Sequence, residues 1–166
     1  FDGIDINMGC PASNIAGKGA GAALILTPEL AKEIIRSAKR ATKEWADGKN
    51  IDEVGLPESI VAEVKKIHPQ NVERILLPVS VKTRVGYNSV VIEEWVKHLL
   101  ETKPVNISIH GRTLKQLYSG LADWDAIARA AEIIHQTDTT VLGNGDIKNL
   151  EDANIRIKQY GVDGVL

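Results

Sequence analysis

The chain has 166 residues, 43% of them hydrophobic and 25% charged, the balance of a globular protein that can bury one sizeable core. That balance excludes disorder, collagen-like repeats and coiled coils, and no run approaches the ~18 consecutive apolar residues of a membrane helix. Twenty Lys and Arg against 22 Asp and Glu leave a net charge of −2, without the strongly basic balance of most nucleic-acid binders, although a local basic face stays open.

Ile4 to Met8 alternates with period two and runs into the turn Gly9-Cys10-Pro11, which reads as a strand. Thr27-Pro28-Glu29 starts a helix, with Thr27 as N-cap, Pro28 at the first helical position and an acid in the first turn. Leu30, Ile34, Ile35, Ala38 and Ala41 form its apolar face, and Arg36, Lys39, Arg40 and Lys43 its solvated one. Residues 46 to 75 are polar and irregular and hold Gly48, Gly55, Pro57 and Pro69. They read as an insertion at the periphery, with a short helix from Glu58 to Ile67. Leu76 to Val81 is the second strand, and Val91 to Leu100 a helix. Val105 to Ile109 is the third strand, and Asp123 to Gln136 a helix with Ile127, Ala130, Ala131 and Ile134 inward. Thr140 to Leu142 is a fourth strand. Asn149 caps a last helix, Gly161 closes it, and Asp163 to Leu166 begins a fifth strand. Alternating strands and helices predict βαβ units and a parallel sheet.

Polar residues close each of the first four strands: Asn7 and Cys10, Lys82 and Arg84, His110 and Arg112, Asn144 and Asp146. In parallel α/β architectures that is the end where ligands bind, so the pattern predicts an enzyme. Each residue also has a plain reading. A lone Cys after a strand is often a small buried hydrophobe, but Cys10 sits in a turn between Gly9 and Pro11, where a thiol gains access. His110 alone reads as a structural hydrogen-bonder and Lys82 as a surface charge, until the apolar run before Lys82 is considered. The glycines of Gly17 to Ala22 have the wrong spacing for a dinucleotide fingerprint and suit a loop packed closely over a substrate. Asn144-Gly145-Asp146 reads either as a tight turn or as a phosphate cradle. No His, Cys or carboxylate set has metal-ligand spacing, so no metal is expected. One free cysteine and no export signal suit a reducing, cytoplasmic setting. The chain lacks an initiator Met and stops in an apolar run, so it is expected to be a piece of a longer protein.

Together the motifs resemble the tRNA-dihydrouridine synthases. Asp5 to Pro11 matches that family's signature, as do Lys18 to Leu24, Val81 to Arg84, His110 to Thr113, Tyr118-Ser119-Gly120 with Ala122-Asp123-Trp124, and Gly143 to Ile147. All follow the family's order over nearly the whole chain. The resemblance implies an FMN-binding (β/α)₈ TIM barrel, of which residues 1–166 are an incomplete portion, about strands four to eight, since a closed barrel needs ~250 residues.

By the same resemblance Cys10 is the catalytic acid that protonates C5 of the uracil while reduced FMN delivers hydride to C6. Lys82, His110, Asn144, Gly145 and Asp146 contact the cofactor. Asn7, Arg112 and Tyr118 hold a flipped-out uridine, and Lys18, Arg84 and Lys115 meet tRNA phosphates. NADPH or NADH is the implied reductant, tRNA the implied partner, and the full-length protein a monomer with no membrane association. The alternatives are another FMN barrel such as a dihydroorotate dehydrogenase, and a catalytically inactive RNA-binding fragment.

Overall fold

The computed structural model describes residues 2–67 and 73–166. Its element order is β1 (Ile4–Asn7), α1 (Ser13–Ala16), a 3₁₀ segment (Gly21–Leu26), α2 (Pro28–Ala46), a 3₁₀ turn (Ile51–Glu53) and α3 (Glu58–Ile67). There follow β2 (Val79–Arg84), α4 (Ile92–Leu100), β3 (Asn106–His110), α5 (Trp124–Ile134), β4 (Thr140–Asn144), α6 (Leu150–Tyr160) and β5 (Gly164–Val165). All five strands are parallel and lie in sequence order, β1-β2-β3-β4-β5. A sheet wound in one direction keeps its right-handed crossovers on one side. Accordingly α2 packs on α4, α4 on α5, and α5 on α6. This is an arc of a (β/α) barrel, not a doubly wound sheet.

The strands have two unlike faces. Val79, Val81, Ile107, Ile109 and Val141 are buried and meet Ile35, Trp95, Ile127 and Ile134 in one core under the helices. The opposite parity carries Asp5 and Asn7, Ser80, Lys82 and Arg84, Asn106, Ser108 and His110, Thr140 and Asn144. One half of the alternation thus builds the core, and the other builds a polar face.

Capping chemistry sets several helix ends, those at Asn149 and Gly161 as the sequence suggests. Asp123 accepts from the Ala126 N–H at 2.8 Å, Asn149 accepts from the Asp152 N–H at 2.9 Å, and Gly161 closes α6 in the left-handed conformation. The helix expected at Glu58 to Ile67 forms over those residues.

Four local expectations change. The second strand begins at Val79 and not Leu76, because Pro78 has no N–H for the ladder and gives only its carbonyl, to Ile4. Lys82 and Arg84 therefore lie within β2. Thr27 stands at the N-terminus of α2, but its side chain makes no cap bond. Leu30 and Ala41 are exposed; the inner face of α2 is Ala31, Lys32, Ile35 and Thr42. Lys32 is buried there because its ammonium pairs with Glu29 at 2.6 Å and Glu101 at 2.8 Å. Lys39 is half-buried, donating to the carbonyls of Thr102 and Lys103 just beyond α4, where a cation offsets the helix dipole. Of the expected insertion at 46 to 75, residues 68–72, Pro69 included, lie outside the described residues.

Candidate functional site

The polar face forms rows set by strand register. Asn7 pairs with Lys82 and Lys82 with Ser108; one step further along, Arg84 pairs with His110 and His110 with Asn144. Below these, Ser80 donates to Asp5 at 2.6 Å and Thr140 donates to Asn106 at 3.0 Å. These lower residues, with Ser108, lie on the same polar face, and apart from Asp5 the motif reading passed over them. Their signal was present as period-two polarity within strands whose other parity is apolar.

Lys82 and Asn144 meet across β3, with the ammonium 2.9 Å from the amide oxygen, and Asn144 donates in turn to the Leu166 carbonyl at 2.8 Å. Burial, and then the charge of Arg84, bring Lys82 down to about 8, with Asp5 pulling the other way. His110 is lowered to about 4, chiefly by burial and then by Arg84, Lys82 and Arg112, with Asp146 opposing. The imidazole is therefore neutral at pH 7, and its neighbours supply the positive charge.

Arg84, expected to meet phosphate, and Arg112, expected to hold the uridine, are both buried and engaged with protein partners. Arg84 is only 4% exposed; it donates to the carbonyls of Gly9 at 2.8 Å and of Thr113 and Leu117 at 3.2 Å. It ties the loops after β1 and β3 to β2. Arg112 is 9% exposed, donating to Asp146 at 2.6 Å and, through Nε and Nη2, to the Gly120 carbonyl at 3.2 and 2.8 Å. The second oxygen of Asp146 accepts from the Ala122 N–H at 2.6 Å. That bond first, and Arg112 second, hold the Asp146 carboxyl below the usual carboxylate range against its burial. Asp146 takes a left-handed backbone, and Gly145 before it has φ +123°.

Cys10 follows β1, partly accessible, and its carbonyl accepts from the Ala22 N–H at 3.0 Å. Gly21, at φ +58°, passes so close that a Cβ there would lie 2.6 Å from that carbonyl and 3.0 Å from the Cys10 Cβ. The glycine-bearing loop thus packs directly against the Cys10 backbone. Asn7 is exposed; its side-chain oxygen accepts from the Gly9 N–H at 3.0 Å, which shapes the turn before Cys10. Tyr118 is 79% exposed, and Lys18 and Lys115 are exposed without an ion pair among the described residues.

A separate cavity of about 310 Å³ lies between the start of α2, the β2–α4 loop and α4, lined by Leu26, Tyr87, Trp95 and His98 among others. It shares no residue with the polar face. Among the described residues no group of three His, Cys, Asp or Glu converges as a metal site, and no helix is long and apolar enough to cross a membrane.

The family model described as Dihydrouridine synthase (Dus) matches residues 1–46 and 53–166. Among curated relatives, the chain is 36% identical over 169 residues to "Probable tRNA-dihydrouridine synthase 2" of Bacillus subtilis (strain 168), covering 100% of this chain and 42% of that protein. It is 35% identical over 169 residues to "Probable tRNA-dihydrouridine synthase" of Staphylococcus aureus (strain Mu50), covering 100% of this chain and 41% of the relative. A Staphylococcus epidermidis relative with that name is 36% identical over 171 residues, with the same coverage. The chain thus spans about two fifths of the length of the curated relatives it matches.

Proposed function

Because the chain belongs to the dihydrouridine synthase family, we propose that it supplies part of the catalytic barrel of an enzyme that reduces a uridine of tRNA to 5,6-dihydrouridine. The carrying observation is the polar face, where Lys82, His110 and Asn144 line the carboxyl ends of adjoining strands and Cys10 follows the neighbouring strand β1. Residues 46 to 75 are read as a peripheral insertion in that barrel. The family match is interrupted at residues 47–52 and resumes at 53, which supports added chain only at 47–52.

FMN is the cofactor proposed for this face, and the residues present fit it. Lys82 offers a cation to an electron-rich ring, His110 a neutral imidazole and Asn144 an amide. Gly145 leaves its backbone bare, since a Cβ there would meet Ala122 at 2.7 Å and the His110 ring at 3.1 Å. Bound there and reduced by NADPH or NADH, the flavin would supply the hydride that adds to C6 of uracil.

The chain's own part is proton and charge management. Hydride addition at C6 builds enolate-like charge that must be quenched at C5, and Cys10 holds the proton that does so. Lys82 stabilises negative charge on the cofactor ring. Asn7 and Tyr118 hold the extruded uridine, and Lys18 and Lys115 meet tRNA phosphates. Arg84 and Arg112 serve the same site by holding its loops. A few exposed cations on one face reconcile a net charge of −2 with an RNA substrate.

The test is incubation of the full-length protein with unmodified tRNA and NADPH, followed by mass spectrometry of the nucleosides. A uridine two hydrogens heavier is expected. Flavin binding without that product would leave a flavoprotein whose substrate is not tRNA.

A further inference from the structure

Arg112 Nη1 lies 3.4 Å from His110 Nε2. A guanidinium has donors only and stays charged, so in this contact Nε2 accepts, and the one proton of a neutral imidazole must sit on Nδ1. The Nε2–Cδ2 edge of the ring also packs on Gly145, where a Cβ would come 3.1 Å from Cδ2 and 3.3 Å from Nε2. Nδ1 has no partner among the described residues and is not sealed from solvent. The ring is therefore held by one edge, with its other nitrogen left over for a ligand.

Arg112 is itself fixed. Its Nε and Nη2 are committed to the Gly120 carbonyl and to Asp146, and Asp146 is anchored by the Ala122 N–H. Only Nη1 is turned to the histidine. The charged groups facing the ring are Lys82 and Arg84 from β2, Arg112 from the loop after β3, and Asp146 from the loop after β4. Three cations against one anion oppose a second proton on the ring, and burial acts in the same direction.

We infer that Arg112 is a positioning residue that locks His110 as the neutral Nδ1–H tautomer, making His110 a fixed hydrogen-bond donor into the polar face. Its ligand would present an acceptor there, a carbonyl or phosphoryl oxygen or an unprotonated ring nitrogen. A ring held neutral is a much weaker acid than an imidazolium, which accords with Cys10 as the proposed proton donor to uracil. The tautomer stands on the geometry alone. Its use toward a cofactor rests on the proposed function.

The test is long-range ¹H–¹⁵N correlation spectroscopy of the full-length, cofactor-free protein labelled with ¹⁵N-histidine, with His110→Asn to assign the resonance. The wild type should show a neutral ring at pH 7, with Nδ1–H in about tenfold excess or more, as one hydrogen bond from a charged donor requires. Arg112→Met should lose that preference and mix the tautomers. Lower stability of this variant is expected on any account, and only the tautomer change belongs to this one. An Nε2–H ring or an imidazolium at pH 7 in the wild type overturns the inference without recourse to any variant, as does an unchanged tautomer in folded Arg112→Met. Since the spectrum is read without cofactor or tRNA, an inactive enzyme would count against the proposed function and leave the tautomer result intact.

Discussion

The ammonium of Lys82 in β2 reaches past β3 to the side-chain oxygen of Asn144 in β4, 2.9 Å away, joining residues 62 positions apart. The contact is a hydrogen bond to a neutral group, so it orients the cation without neutralising it. Burial and Arg84 leave that cation with a value of about 8. Positive charge at this point is therefore present at pH 7 and is lost as pH rises through about 8.

The contribution of Lys82 to FMN affinity should consequently be constant below pH 7 and fall above about pH 8, where free Lys82 gives up its proton. Lys82→Met should bind FMN about tenfold or more weakly at pH 7, with the break near pH 8 gone, on the scale of one charge-assisted contact. Titration of flavin fluorescence at a series of pH values measures both. An unaltered break in Lys82→Met would assign it to another group.

Cys10→Ala should separate binding from chemistry. On the proposed mechanism the thiol moves a proton, and among the described residues it makes no hydrogen bond to Lys82, His110 or Asn144, so flavin affinity should be unchanged. Dihydrouridine formation should drop by about 10²–10⁴-fold, the usual contribution of a positioned acid. Single-turnover reaction with pre-reduced enzyme and mass spectrometry of the product would read it. Loss of flavin along with activity would make Cys10 structural.

The alternation of strands and helices, and hence the parallel sheet, was legible because both parities of β2, β3 and β4 carry their own signal, while the barrel followed from the family resemblance. Val79, Val81, Ile107, Ile109 and Val141 mark the core, and the polar residues between them mark the site. Element ends were less so. Pro78 moved the start of β2 because a missing N–H counts only once the strand pairs with β1. The motifs brought Lys82, His110, Asn144 and Asp146 to one end of the sheet. They could not show that Arg112 and Arg84 are turned inward onto protein partners. Those partners, Asp146 and the carbonyls of Gly9, Thr113, Leu117 and Gly120, lie in other loops or on main-chain atoms, and no side-chain pattern announces them.

Gly145 and Gly19 make a matched pair for the backbone at the site. Both have positive φ, but a Cβ at Gly19 would meet nothing within 4 Å, whereas one at Gly145 would strike Ala122 and crowd His110. Gly19→Ala should cost about 1 kcal/mol, from φ alone. Gly145→Ala should cost about 2–4 kcal/mol, strain and overpacking together. Urea unfolding of the two variants in the full-length protein would give the difference. Equal losses would mean that the loop after β4 yields easily and does not press on His110.

Acid should reveal His110 in the stability of the protein. The imidazole has an ordinary value of 6.5 when unfolded and about 4 in place, so between those values the unfolded chain binds more protons than the native one. Stability therefore rises with pH across that window. On acidification, the contribution of His110 is lost progressively from about pH 6.5 down to about pH 4 and changes no further below it. Replacing the ring with a neutral amide in His110→Gln removes the extra proton uptake, so the slope of unfolding free energy between pH 6.5 and 4 should become shallower by up to one proton. His110→Gln also breaks the contact with Arg112 and lowers stability at pH 7, so the slope and not the intercept carries the result. Identical slopes in wild type and variant would mean that His110 accepts a proton in the native state as readily as in the unfolded chain, and that Lys82, Arg84 and Arg112 do not hold it neutral.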